Sequence, residues 1–299
     1  MHDDEVEIEA DLVRRLIASQ LPRWSSAPVA PVSARGTDNA LFLLGDDKVV
    51  RLPRHAVSVP SLEREVRWLP LLASRLPLAV PVPLACGAPD ETFPFPWAVF
   101  SWVNGEPATP DRLADARAAM VTLAAFIESL QAIDASEGPA PRGRGGPLAP
   151  REEPMRAAVG RLHDRIDVRL VAEIWEDALT APIWDRRVVW LHGDLDARNV
   201  LASGGHISGV IDFGSMAIGD PASDVMVAWK MVAQAHREAF RRALDVDEAT
   251  WRRARGWVLS QALIALAYYT PENNPVLVGE AWRWYREVLA EYLAATHGT

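Results

Sequence analysis

The hydrophobic positions of this chain change period part-way along, and the change divides it into two kinds of structure. Leu12, Leu16 and Ile17 recur at helical spacing within residues 9–21, which predicts a short amphipathic helix. ALFLL (40–44) and KVVRL (48–52) are apolar runs of strand length either side of Gly45-Asp46-Asp47, and predict a hairpin. SLEREVRWL (61–69) returns to helical spacing through Leu62, Val66 and Leu69, with Pro70 expected to disturb it. LPLAVPVPLACGAP holds too many prolines for a helix and should run extended. WAVFSWV (97–103) predicts a buried strand, with Asn104-Gly105 as the turn that follows.

Past Pro110 the pattern becomes helical. DRLADARAAMVTLAAFIESLQAI (111–133) is a long run rich in Ala and Leu, and residues 151–180 also read as helix. Between them GPAPRGRGGPLAP (138–150) is a Gly/Pro loop of the kind that forms a lid or simply connects elements. VVWLH (188–192) and GVIDF (209–213) are short apolar strands that each run straight into polar residues. From Pro221 the spacing is helical almost to the end. The expected architecture is α/β in the α+β sense. A small β-rich lobe spans 1–103 and a larger helical lobe spans 104–299.

Composition narrows the class. The 299 residues are 49% hydrophobic and 24% charged, an ordinary globular balance. No apolar run approaches the roughly 20 residues that span a bilayer. The start, MHDDEVEIEADLVRRL, lacks the basic-then-apolar order of a signal peptide. A single cysteine, Cys86, forms no internal disulfide and fits a reducing compartment. A cytoplasmic protein with no membrane partner is expected. The formal charge of −9 argues against a nucleic-acid partner; it would suit a cationic substrate but equally serves solubility.

The chemistry concentrates in LHGDLDARNVLASGGHISGVIDFGSMAIGDPASD (191–224). His192-x-Asp194 followed by Asn199 has the H-x-D-x-x-x-x-N spacing of a kinase catalytic loop, and Asp212-Phe213-Gly214 follows at a short distance. Asp, Asn and Gly are common turn formers, so a plain β-hairpin would also contain them. The joint spacing favours chemistry. A phosphoryl group in transfer needs metal ions and rigid positioning more than a strong base. Asn199 and Asp212 offer hard oxygen ligands suited to Mg²⁺, and Asp194 can orient an acceptor hydroxyl and take its proton.

At these residues the chain resembles the aminoglycoside phosphotransferase family of antibiotic and small-metabolite kinases, through HGDLDARN, IDFG and GDPASD. The likeness extends upstream to GTDNALFLLGDDKVVRLPR (36–54), EREVRWLPLLASRLPL (63–78) and PFPWAVFSWVNGE (94–106). It implies a two-lobed, protein-kinase-like fold, ATP or GTP as donor, Mg²⁺, and a small-molecule hydroxyl acceptor such as an aminoglycoside or macrolide. An amino alcohol, sugar or nucleoside is the alternative acceptor, and a catalytically silent nucleotide-binding protein the alternative function. Carried over, Asp194 is the catalytic aspartate and meets the acceptor, while Asn199 and Asp212 are metal ligands. Asp220 is then a structural or acceptor-side acid. Arg51 holds the position of the phosphate-binding lysine, with Glu65, or failing it Glu63, as its partner. Gly36 and Thr37 belong to the loop expected over the phosphates, and the backbone of Ser101, Trp102 and Val103 to the lobe connection that meets the base.

Departures from the kinase pattern refine this. Gly219-Asp220-Pro221 follows Asp212 almost at once, no A-P-E appears, and HGD replaces HRD, so a protein acceptor is not expected. Asp196 places an extra carboxylate beside Asp194, which should pair with Arg198 or face solvent. Trp175, Trp184, Trp229, Trp257, Trp282 and Trp284 sit at helical spacing and should be core.

Overall fold

A computed structural model describes residues 6–32 and 38–297. Gly36 and Thr37, expected over the phosphates, lie outside the described residues. The N-terminal region holds α1 (Ala10–Gln20), β1 (Val29–Pro31), β2 (Asn39–Leu44), β3 (Lys48–Pro53), α2 (Val59–Ala73), β4 (Pro83–Gly87) and β5 (Trp97–Ser101). Its strands form one antiparallel sheet in the order β1-β2-β3-β5-β4. Both faces are covered. Val50, Leu52, Trp97 and Val99 pack toward α1, while Val49, Ala98 and Phe100 join Leu62, Leu69 and Leu72 of α2 on the other side. This is why β3 reads as an almost unbroken apolar run, in which the one buried charged side chain, Arg51, must find a partner inside.

Pro70 does not end α2. The helix continues through it to Ala73. Burial of Leu69 and Leu72 holds the last turn in place against the bond that proline removes.

The C-terminal region holds β6 (Glu106–Pro107), α3 (Ala116–Ala132), α4 (Glu152–Leu162), α5 (Val168–Thr180), β7 (Val189–Leu191), β8 (Val200–Ser203), β9 (His206–Val210) and β10 (Ala217–Gly219). After these come α6 (Ala222–Val225), α7 (Val227–Lys230), α8 (Gln234–Ala243), α9 (Glu248–Tyr268) and α10 (Pro275–His297). The long helix begins at Ala116 rather than at residue 111. The Asp115 carboxylate accepts from the N–H groups of Arg117 (2.8 Å) and Ala118 (3.1 Å), and this cap fixes the start. The helical run 151–180 is likewise two helices, the second opened by Asp167, which accepts from Leu170 N–H at 3.0 Å.

The strands expected at 188–192 and 209–213 exist as β7 and β9, but they do not pair with each other. β7 pairs with β10, and β9 belongs to the sheet β6-β8-β9. The two acids therefore emerge from two small sheets set side by side. The regions are joined by a parallel bridge between Ala79 and Gly209, and by Arg64 of α2, which donates to the carbonyls of Gly214 (3.3 Å) and Met216 (3.0 Å). No helix among the described residues is long and apolar enough to cross a membrane.

Candidate active site

The site is assembled from β3, α2, the loop after β7 and the segment after β9. Arg51 is buried and places Nη1 2.6 Å from a carboxylate oxygen of Glu65, a residue with no exposed surface. Glu63, on the opposite side of α2, is exposed. Nη2 of the same guanidinium stands 4.0 Å from Asp212. Burial would weaken the charge on Arg51, but Glu65 and Asp212 outweigh it and hold the guanidinium above its ordinary value. The strand thus presents a fixed positive charge at the edge of the cleft.

The loop after β7 is locked at both ends. Gly193 has φ +80, and a Cβ there would lie 2.6 Å from the carbonyl oxygen of Ser215, so only glycine fits. Asp224, fully buried at the start of the C-terminal helices, accepts from the backbone N–H of His192 (2.7 Å) and of Gly193 (2.8 Å). Burial pushes its carboxyl up, against the pull of His192 and those two donors. The His192 ring has Nε2 3.0 Å from the Ile211 carbonyl, while Nδ1 accepts from Asp194 N–H at 3.2 Å. Those bonds select the Nε2–H tautomer. The ring also packs edge-on against Phe213, with centroids 4.5 Å apart.

Further along the same loop, Asn199 Nδ2 donates to the Asp194 carbonyl at 2.9 Å, which leaves Oδ1 as an oxygen ligand. The Asn199 carbonyl accepts from Ile211 N–H at 2.8 Å, next to Asp212. Asp212 itself adopts the left-handed conformation, φ 63, with its side chain 57% exposed. That exposure turns the carboxylate into the cleft beside Arg51. An amide oxygen and a carboxylate form a hard donor set that fits Mg²⁺, which binds through one or two protein oxygens together with phosphates and water.

At the lobe connection two of three backbone donors are already used. Ser101 N–H donates to Val82 O (2.9 Å) and Trp102 N–H to Asp47 O (2.8 Å). These two N–H groups are therefore spent within the sheet.

Residues 29–257 match the model of a phosphotransferase enzyme family, most of the chain. The chain belongs to that family. It is a phosphotransferase with an alcohol group as acceptor. Among solved structures it is similar to the GDP complex of a mutant aminoglycoside 2'-phosphotransferase-IIIa, with TM-score 0.73 and 20% identity over 96% of this chain and 99% of that one. Aminoglycoside phosphotransferase APH(2'')-Ib with ADP bound gives TM-score 0.62 at 16% identity, covering 94% and 98%. Macrolide 2'-phosphotransferase MphH from Brachybacterium faecium gives 0.63 at 20%, covering 91% and 97%. No curated protein matches the sequence.

In this phosphotransferase the Gly/Pro loop is pinned to the site. Pro139 O accepts from Ile218 N–H and Gly145 O from Asp220 N–H, each at 2.9 Å. A Cβ on Gly219 would lie 2.2 Å from that Gly145 oxygen, so the glycine permits the approach. Arg144, carried between these anchors, donates to the Gly193 carbonyl at 2.8 Å and forms an ion pair with Asp194. Burial alone would push the Asp194 carboxyl up, but the charges of Arg144 and Lys230 outweigh it and hold it below the ordinary carboxylate range. A carboxyl so held is ionised near neutral pH.

Asp220 is structural in its geometry. It is buried, accepts from Arg253 Nε (2.6 Å) and Nη2 (3.0 Å), and caps α6 through Ala222 N–H (3.0 Å). Both oxygens accept from Arg253, the geometry of a structural acid. Asp196 is buried and pairs with Arg198, whose backbone N–H (2.9 Å) and Nε (3.1 Å) both donate to it. Trp175, Trp229, Trp257 and Trp284 are core, while Trp184 and Trp282 are only half-buried.

Three contributors escaped the sequence reading: Asp224, Arg144 and Lys230. Asp224 was visible as the last acid of GDPASD, and Lys230 as a lone charge in the apolar run VMVAWKMVA. Arg144, between glycines in an irregular loop, left no periodic signal.

Proposed function

We propose that this protein transfers the γ-phosphate of ATP or GTP to a hydroxyl of a small molecule, with Asp194, Asn199 and Asp212 as the working residues. The observation that carries this reading is the hydrogen-bonded frame that seats Asn199 between Asp194 and Ile211, one residue before Asp212. The acceptor oxygen bonds to the γ-phosphorus as the bridging P–O bond to the β-phosphate breaks, and the hydroxyl proton passes to Asp194. The nucleoside diphosphate leaves. Asn199 and Asp212 would hold Mg²⁺, which supplies neutralising charge between the phosphates when bound. Arg51, held by Glu65, steadies the phosphates with a fork where the family pattern has lysine.

The intact Arg51–Glu65 pair supports an active enzyme over a silent nucleotide-binding protein. An acceptor seat of about 310 Å³ adjoins the catalytic loop at Asp196, Ala197 and Arg198. Its apolar lining, including Leu113, Met120, Leu123 and Ile207, does not suit the polycationic aminoglycoside that the family resemblance suggests. A smaller hydroxylated metabolite or an apolar antibiotic fits it better.

Slow Mg²⁺-dependent hydrolysis of ATP or GTP, compared between the parent and Asp194→Ala, tests the proposal. The substitution should lower the rate by roughly 10²–10⁴-fold. Equal rates would end the assignment of Asp194.

A further inference from the structure

The cavity beside the catalytic loop carries a charge pattern of its own. Four cations and three carboxylates line it. Three of the cations are already neutralised: Arg198 by Asp196, Arg237 by Glu287, and Arg283 by Glu280. The fourth, Lys230, is 1% exposed and ends α7. Among the described residues its ammonium forms no hydrogen bond or ion pair, and it lies over the face of Trp284 at 4.7 Å. The carboxylates nearest to it in electrostatic terms, Asp194 and Asp196, are held by Arg144 and Arg198.

Two further unpartnered donors lie behind the wall. Arg237 Nη1 and Trp284 Nε1 are both buried without an acceptor. Neither atom reaches the cavity surface, so Lys230 is the one cation of the lining without a carboxylate of its own. A cation adds only donors to such a wall, and a neutral alcohol offers little charge to match the ammonium. A carboxylate brings a single negative charge against one positive charge in excess, and its two oxygens accept from several N–H groups.

We propose that the acceptor is an otherwise largely apolar hydroxy acid, its carboxylate seated on Lys230 and its hydroxyl directed toward the catalytic loop that adjoins the cavity at Asp196. The apolar wall covers the hydrocarbon between the two groups. Burial pushes the Lys230 ammonium below its ordinary value against the pull of Asp194 and Asp196, and an anion alongside adds the direct partner that neither of them makes. This inference rests on the phosphotransferase reading for the cavity's role as acceptor seat, but the charge preference is read by binding alone.

The test uses three probes of one length: a ten-carbon ω-hydroxy carboxylate, the matching diol and the matching amino alcohol. Each is titrated calorimetrically into the full-length protein with Mg²⁺ and a non-hydrolysable nucleotide. The carboxylate should bind about tenfold tighter than the amine, and Lys230→Met should reduce that preference to within about twofold. Methionine fills the space of the lysine stem, so the thermal midpoint should hold or rise. Should that variant fold poorly, Lys230→Gln removes the charge, keeps a hydrogen-bonding amide, and should likewise reduce the preference to within about twofold. Equal or tighter binding of the amine, a preference that survives Lys230→Met, or no binding of any probe while the nucleotide still binds would each overturn the proposal. Failure of the nucleotide to bind the parent would strike the catalytic reading instead.

Discussion

Arg51 of β3 and Glu65 of α2 meet at 2.6 Å in the interior of the N-terminal region, and the same guanidinium reaches to 4.0 Å of Asp212. One strand residue thereby ties a helix to Asp212. Breaking one partner leaves the other as an uncompensated buried charge. Arg51→Ala should cost about 3–5 kcal/mol in chemical denaturation. The double variant Arg51→Met/Glu65→Leu should recover much of that stability while still failing to bind nucleotide tightly. Arg51→Lys should retain binding, because it keeps the charge and loses only the fork. A double-mutant cycle read by both denaturation and nucleotide titration checks all three.

Asp224 acts on the catalytic loop without reaching the reacting atoms. Its two oxygens hold the N–H groups of His192 and Gly193, and asparagine would offer an acceptor to only one of them. Asp224→Asn should lower stability by about 1–3 kcal/mol. It should also reduce kcat while leaving the nucleotide KM near the parent value, because the loop carrying Asp194 is loosened and the metal side is not. Steady-state kinetics separates this outcome from general unfolding, which would lower active protein and leave kcat per folded molecule unchanged.

Gly193 combines a left-handed backbone with contact against Ser215. Gly193→Ala should destabilise by at least about 2 kcal/mol, from the backbone conformation and the carbonyl clash together. Gly160, where an added Cβ meets nothing within 4 Å, is the control: Gly160→Ala lies inside α4 and should be neutral or stabilising.

The depressed Asp194 carboxyl sets the acid side of the pH profile. Its folded value lies below the ordinary 3.8, so the stability it contributes is present above 3.8 and lost as pH falls through the lower folded value. The acid limb of kcat/KM assigned to this group should therefore also lie below 3.8. Arg144→Met removes the leading opposing charge and leaves burial, which raises the value, so the limb should move up. An unmoved limb in that variant would show that Arg144 does not govern this carboxylate.

Much of this arrangement was legible before any coordinates. The spacing of His192, Asp194, Asn199 and Asp212 is local, and local spacing survives folding. The face of β3 was legible too, since strand alternation put Arg51 with Val49, toward α2. What could not be read were relations fixed by tertiary contact. Asp224 meets His192 across 32 residues, and Arg144 meets Gly193 across 49. The N–H groups of Ser101 and Trp102 are likewise used by Val82 and Asp47, which no pattern within 97–103 encodes. Pro70 misled because a local rule was overridden by the burial of Leu72.

The central claim is a division of labour between Asp212 on the metal side and Asp194 on the acceptor side. Titration of ATP or GTP with and without Mg²⁺ into the parent, Asp194→Ala and Asp212→Ala tests it directly. The account predicts that Mg²⁺ strengthens binding in the parent and in Asp194→Ala alike, and that Asp212→Ala loses the strengthening. Nucleotide binding that ignores Mg²⁺ in all three proteins would contradict it.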